Sequence, residues 1–290
     1  MNKKSDNRVE DIRAEKPILI LGGTGKTGRR VAERLTKQGL QVRIGSRSGE
    51  PPFDWGNSAT WLSSLRNVGA VYITYYPDLA VPGAAAAIES FAKLAVDYGV
   101  RRLVLLSGRG EEEAQLSEQA LQNSGAEWTI LRSSWFCQNF SESFMLDMVL
   151  DGELTLPVGD VKEPFIDADD IADVAVAALT DDKHIGQLYE LTGPRALTFA
   201  EATEAIAKAS NRDVRYTHLT HEQFMSMLIQ QEVPGEYVDL LSYLFTTVLD
   251  GRNIHLTDGV QRALGREPRD FVDYAKIVAA TGVWKVDNNG

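Results

Sequence analysis

Gly22, Gly25 and Gly28 stand three apart in the run Leu19-Ile20-Leu21-Gly22-Gly23-Thr24-Gly25-Lys26-Thr27-Gly28. An apolar stretch that ends in glycines and passes straight into a helical pattern lets backbone N–H groups approach a pyrophosphate, whose charge the helix N-terminus stabilises. The spacing therefore implies a dinucleotide site. A triphosphate-binding P-loop would need glycine at position 20, where the chain has Ile20, and that reading falls. Near residue 46, where an NAD-selective site keeps an acid for the ribose hydroxyls, the chain reads Gly45-Ser46-Arg47-Ser48. A guanidinium between two hydroxyls can hold a 2′-phosphate through charge-assisted hydrogen bonds that carboxylates could not make. The expected cofactor is NADP(H).

Thr74-Tyr75-Tyr76-Pro77 closes a later apolar run and should emerge at the carboxyl edge of a sheet, beside a bound dinucleotide. Two roles stay open for the aromatic pair: walls for a nicotinamide or substrate, or edge packing. Ser107 ends the next apolar run, and the helical stretch after it, 111–123, contains neither Tyr nor Lys. No catalytic residue is assigned; Ser107 and Glu118 are the candidates for handling a proton. His184, His218, His221 and His255 lack the companion ligands of a zinc site, so no metal is expected. Cys137 has no neighbouring base or cation and reads as a small buried hydrophobe.

Strands alternating with helices must position these residues. Apolar runs at 17–21, 41–44, 70–75, 102–106 and 128–131 read as strands, with helical spacing at 29–35, 83–98 and 111–123. Continuous apolar strands separated by helices mark a parallel sheet covered on both faces, so the expected class is a doubly wound α/β domain of Rossmann type. Beyond Arg132 the pattern predicts an amphipathic helix over 136–150 with Phe140, Phe144 and Met148 on its core face. A short helix over 171–179 follows, led in by Asp167, Asp169 and Asp170 as caps, and then a strand over 187–191. From residue 198 the chain reads as mostly helical. The expected organisation is a loose tail over 1–16, a dinucleotide domain over 17–195 with substrate-side insertions at 136–166, and a smaller, mostly helical lobe over 196–290.

Hydrophobic residues make up 43% of the 290, which excludes a disordered or collagen-like chain. The apolar stretch 79–88 is broken by Pro82 and Gly83 and falls far short of the ~20 residues a membrane helix needs. Residues 1–16 carry charges of both signs without the apolar core of a signal peptide, and one cysteine can form no internal disulfide. A cytoplasmic location is expected. Against 30 basic residues stand 41 acidic ones, and residues 141–190 hold 13 acids against Lys162 and Lys183, as much as the whole net charge of −11. No basic stripe offsets them, so nucleic acid is not an expected partner. The acidic stretch is either a solvated face or a field that favours a cationic small molecule.

Taken together, several motifs resemble the NmrA-like branch of the atypical short-chain dehydrogenase/reductases. They are Gly22-Gly23-Thr24-Gly25-x-x-Gly28, Ser46-Arg47, Ser107, Trp128-Thr129-Ile130-Leu131-Arg132, Trp135-Phe136-x-x-Asn139-Phe140, Phe165-Ile166-Asp167-x-x-Asp170 and Tyr189-Glu190-Leu191-Thr192-Gly193-Pro194. Within the branch, Ser46-Arg47-Ser48, Phe53-Asp54-Trp55 and Gly265-Arg266-x-Pro268-Arg269-x-Phe271 most resemble the ergot-alkaloid festuclavine and agroclavine dehydrogenases, which use NADPH to reduce a cyclic iminium. The resemblance implies cofactor contacts at Gly22, Thr24, Gly25, Lys26, Thr27, Gly28, Ser46, Arg47, Ser48, Asp54, Thr74, Tyr75 and Ser107. It implies substrate contacts at Tyr76, Arg109, Trp135, Phe136 and Asn139.

Ser133 departs from the Pro usual in the branch, and no tyrosine is followed four residues later by the lysine of the classical superfamily pair. Hydride addition to a preformed iminium leaves a neutral amine and needs no general acid, so an NADPH-dependent reductase of an imine, iminium or similar activated electrophile is the expected activity. The branch also contains NADP-sensing regulators without catalysis, and a quinone or enone reductase is a further alternative.

Overall fold

The computed structural model describes residues 16–286; the expected tail, apart from Lys16, lies outside the described residues. β1 (Ile18–Leu21) is four buried aliphatic residues, and the glycine turn carries it into α1 (Lys26–Lys37), which buries Val31 and Leu35. Next come β2 (Val42–Gly45), the short α2 (Trp61–Leu65), β3 (Ala70–Ile73), the Ala-rich α3 (Ala84–Asp97), β4 (Arg102–Gly108), α4 (Glu112–Gln122) and β5 (Glu127–Ser133). After a 3-10 turn at Cys137–Phe140 the chain forms α5 (Met145–Asp151), β6 (Glu153–Leu156), β7 (Lys162–Glu163), α6 (Ala168–Thr180) and β8 (Gln187–Leu191). The remainder holds β9 (Leu197–Thr198), α7 (Phe199–Ser210), β10 (Arg215–His218), α8 (His221–Gln230), α9 (Gly235–Tyr243) with a π turn at Leu244–Val248, α10 (Gly259–Leu264) and α11 (Phe271–Thr281).

Six strands form one sheet in the order β2-β1-β3-β4-β5-β8. The parallel registers Ile18↔Val42, Ile18↔Ala70 and Ala70↔Arg102 align the N-terminal ends of the central strands, so their carboxyl ends share one edge. This is the doubly wound α/β arrangement that the alternation of apolar runs and helices implied. The sheet interior is aliphatic, and Phe53, Trp55, Trp61 and Phe91 close around one another beside it, with Phe53 and Phe91 ring centroids 5.6 Å apart edge to face. Full burial of a ring such as Phe91 contributes about 1.5–3 kcal/mol.

The chain divides into two compact units. The first runs to Arg132 and adds Ile171–Tyr189 and Arg262–Leu264; the second takes Ser133–Asp170, Glu190–Gln261 and the residues from Gly265 on. The division expected at 195/196 therefore falls elsewhere. The chain leaves the first unit as β5 ends and re-enters it with α6 and the start of β8, so the segment taken for a substrate-side insertion packs as part of the second unit's own core. In that core Phe140, Phe165, Phe199 and Phe271 pack ring to ring at 5.1–6.0 Å. A full capping box of Thr198 and Glu201 starts α7.

The continuous helix expected over 136–150 does not form. Backbone bonds from Cys137 N–H to Ile166 O (2.8 Å) and from Ile166 N–H to Trp135 O (2.9 Å) hold residues 135–137 extended, and Gln138 is drawn to Asp167 and the Ala168 N–H. Helix resumes only at Met145, which leaves Phe144 37% exposed rather than on a core face. Among the described residues no helix is long and apolar enough to cross a membrane, and no three His, Cys, Asp or Glu side chains gather as a metal site.

Candidate dinucleotide and active site

The turn from β1 to α1 is closed by Gly22 N–H to Gly45 O at 3.0 Å and Gly25 N–H to Gly22 O at 2.8 Å. Its glycines meet different demands. Gly22 has φ +64°, and a Cβ there would stand 2.2 Å from Thr74 Oγ1; a Cβ on Gly28 would stand 2.3 Å from Gly22 O. At Gly25, φ is −80° and the nearest atom to an added Cβ is Gly22 O at 3.2 Å, a tight contact that a shift of a few tenths of an ångström would relieve, so the fold constrains this glycine far less than the other two. The first and third glycines serve the turn and the helix packing, and the second leaves open the approach that a pyrophosphate requires.

Beyond that approach α1 starts with neither a side-chain cap nor an acidic residue in its first turn, while Thr24 and Gly25 are exposed in front of it. A bare helix start of this kind favours an anion, so the residues present fit the diphosphate of a dinucleotide. Lys26 is half-buried. Thr27 is buried, with its hydroxyl facing the Tyr72 phenol of β3, which burial pushes to a high pKa. Only its backbone therefore faces the turn. Thr74 donates from Oγ1 to Leu21 O at 3.0 Å, fixing the end of β3 against that of β1.

At the end of β2, Ser46 O accepts the N–H groups of Gly49 and Phe53 at 3.0 and 2.8 Å, and Ser46 Oγ lies 3.5 Å from Ser48 Oγ. Arg47 projects from this turn, its guanidinium 5.6 Å from the ring centroid of Tyr76. Tyr76 is 60% exposed and thus sits at the Arg47 end of the candidate site. Tyr75 leans instead on Trp55 at 4.9 Å, and Trp55 donates from Nε1 to Thr74 O at 3.0 Å. Asp54 turns one carboxylate oxygen to the Gly56 N–H at 3.0 Å.

Ser107, at the end of β4, is 4% exposed and donates to Glu118 Oε1 at 2.6 Å. Glu118, 2% exposed on α4, also accepts Arg132 Nε at 2.9 Å on the same oxygen and Arg132 Nη2 on the other. The two candidates for handling a proton thus form one network with Arg132, in which the Ser107 hydroxyl proton points at Glu118. Arg109 is buried in the turn after β4.

Trp135, Phe136 and Asn139 belong to the second unit. Trp135 packs on Phe199 and Phe245 at 6.0 and 5.4 Å, Phe136 bridges to Ile166, and Asn139 N–H bonds Phe136 O at 3.0 Å. Two sequence motifs prove to be one structure there. Asp167 and Asp170 pair with Arg269 and Arg266, each at 2.6 Å, and Asp170 also accepts the Arg269 N–H at 2.7 Å. The capping role expected of these acids is met at Asp167, whose Oδ1 accepts the Asp169 N–H at 2.8 Å. Burial raises the Asp170 pKa, opposed by the Arg269 N–H and by Arg266.

Sequence reading missed Glu111, buried just before α4, and Trp55 as the neighbour of Tyr75. The glutamate stretch before α4 was the one available signal.

The profile of the NmrA-like family matches residues 114–275 of this chain. The chain is 34% identical over 283 residues to the uncharacterized oxidoreductase YesF of Bacillus subtilis strain 168, spanning 93% of this chain and 98% of that protein. It is 31% identical over 280 residues to an agroclavine dehydrogenase of Claviceps fusiformis, spanning 89% and 95%. Among solved structures, an NADPH-dependent quinone oxidoreductase of Escherichia coli, complexed with NADPH, shares the fold with a TM-score of 0.75 at 21% identity, covering 90% of this chain and 99% of that one.

Proposed function

The chain belongs to the NmrA-like family, and on that premise we propose that it is an NADPH-dependent reductase of an imine, iminium or similarly activated electrophile. The observation that carries the reading is the turn at the end of β2, where Arg47 stands over the exposed Tyr76 ring with Ser46 and Ser48 beside it. The glycine turn and bare start of α1 hold the diphosphate, Arg47 and the two serines hold the 2′-phosphate, and Tyr76 braces the guanidinium. Thr74 and Tyr75 border the cofactor where β3 ends. When bound, NADPH supplies a hydride.

The family resemblance suggests substrate contacts at Tyr76 and Arg109 in the first unit and, separately, at Trp135, Phe136 and Asn139 in the second. Relatives of this chain include an agroclavine dehydrogenase, and the acidic stretch over 141–190 favours a cationic ligand. A lone buried cysteine suits a reducing cytoplasm.

Arg47→Ala tests the assignment. Hydrogen bonds to charged groups contribute about 1.5–3 kcal/mol, so NADPH affinity should fall roughly tenfold or more while NADH affinity barely changes. Equal losses for both cofactors would remove the 2′-phosphate site. Oxidation of NADPH should then be followed with cyclic iminium ions, quinones, enones and simple ketones. Tight NADPH binding with no turnover across that set would replace the reductase by a cofactor-sensing protein.

A further inference from the structure

Trp55 lies on the stretch of chain between β2 and α2, and its ring is held among aromatic neighbours: Phe53 at 5.0 Å, Phe91 at 5.3 Å, Trp61 at 5.6 Å and Tyr75 at 4.9 Å between centroids. A phenylalanine could supply such packing. An indole adds an N–H, and here it is used: Trp55 Nε1 donates to Thr74 O at 3.0 Å. Thr74 stands one residue beyond β3, past the last paired register Ile73↔Leu105, so the indole takes over where sheet pairing stops.

Thr74 is where the turns at the carboxyl edge of the sheet meet. Its Oγ1 donates to Leu21 O, at the last residue of β1, and lies so close to Gly22 that a Cβ there would stand 2.2 Å away. Gly22 N–H in turn bonds Gly45 O at 3.0 Å. The chain around Trp55 is anchored on its other sides as well. Phe53 N–H bonds Ser46 O at 2.8 Å, in the turn that carries Arg47, and Asp54 O accepts Trp61 Nε1 from α2 at 2.9 Å. Residues 53–55 are thus fixed to α2 and to the turn after β2, and Trp55 links that frame to Thr74 and so to the glycine turn.

We propose that Trp55 is a positioning residue for dinucleotide binding: its indole N–H holds Thr74, and Thr74 holds the glycine turn in the form that receives the diphosphate. The inference rests on the cofactor reading above and adds to it a residue that acts through its neighbours. A turn already set before binding loses less conformational freedom when the ligand arrives, and binds it more tightly for that reason. The diphosphate is common to NADPH and NADH, whereas Arg47 answers only the 2′-phosphate. Loss of the indole tie therefore weakens both dinucleotides by one factor, a different signature from that of Arg47→Ala. The net worth of one neutral hydrogen bond sets the size, roughly threefold to tenfold.

Trp55→Phe keeps a ring in place and removes the N–H, and calorimetric titration of the full chain with NADPH and with NADH reads the result. Both dissociation constants should rise roughly threefold to tenfold, with their ratio as in wild type. Thr74→Val cuts the next link, from Oγ1 to Leu21 O, and should weaken both dinucleotides too. Because Trp55 acts through Thr74, the double variant should bind no more weakly than Thr74→Val alone. Urea midpoints identify the folded variants, and Thr74→Val reads the same chain of contacts should Trp55→Phe fail to fold. A lower urea midpoint with unchanged dissociation constants would make Trp55 a residue of the fold alone and overturn the proposal. Additive losses in the double variant, or a loss confined to NADPH, overturn it as well. Wild type that binds neither dinucleotide overturns the cofactor reading itself, a failure seen without any variant.

Discussion

Glu111 and Glu118 stand about two helical turns apart on one stretch of chain, and both are buried, yet they meet opposite company. Glu118 is met by a guanidinium from β5 and a hydroxyl from β4. Glu111 is met by another carboxyl. Burial makes an uncompensated charge costly at either position, and the partner decides the outcome: a fixed cation answers Glu118, whereas burial and the neighbouring Asp78 raise the pKa of Glu111. The cation turns Glu118 into a clamp between α4 and the ends of two strands.

The contrast breaks if Arg132 is not what holds Glu118. Arg132→Met leaves a buried carboxylate without its cation and should lower stability by about 3–5 kcal/mol, read from the urea midpoint. Replacing Glu118 by Leu in the same chain should restore much of that loss. A single variant as stable as wild type would put the two glutamates on the same footing.

The contrast sharpens through pH. Because the folded Glu111 pKa is raised, the native state keeps a proton that the unfolded chain has lost once pH passes the ordinary 4.5. Stability from this group is therefore complete below that pH and drains away as pH rises through the folded value, with a slope of at most about 1.4 kcal/mol per pH unit for one proton. Glu111→Gln should flatten the slope, and urea midpoints taken across neutral pH in both proteins will show whether it does. Parallel curves would mean that Glu111 carries no proton in the fold.

What was legible in the sequence follows the reach of each interaction. The glycine turn and Ser46-Arg47-Ser48 are local: strand, turn and helix follow one another along the chain, so spacing reports the geometry. Ser107 and Glu118 could be singled out, but Arg132 reaches Glu118 from another strand, and nothing in its neighbourhood announces that. The helix over 136–150 was misjudged for a similar reason, because its periodicity was overridden by pairing with Ile166, a distant segment. β6 and β10 pair in parallel over only four residues each, with polar residues alternating, too short a pattern to stand out.

The unequal glycines of the first turn have a practical consequence. Since the chain's own atoms pin Gly22 and Gly28 much more tightly than Gly25, whose added Cβ would meet only Gly22 O at 3.2 Å, folding and ligand recognition can be uncoupled at a single position. Gly25→Val should keep the native circular dichroism and urea midpoint while losing NADPH, whereas the same change at Gly28 should disrupt the fold. Such a cofactor-blind protein would be a separation-of-function reagent: any activity in cells that survives it belongs to the scaffold alone, and any that vanishes depends on the bound nucleotide.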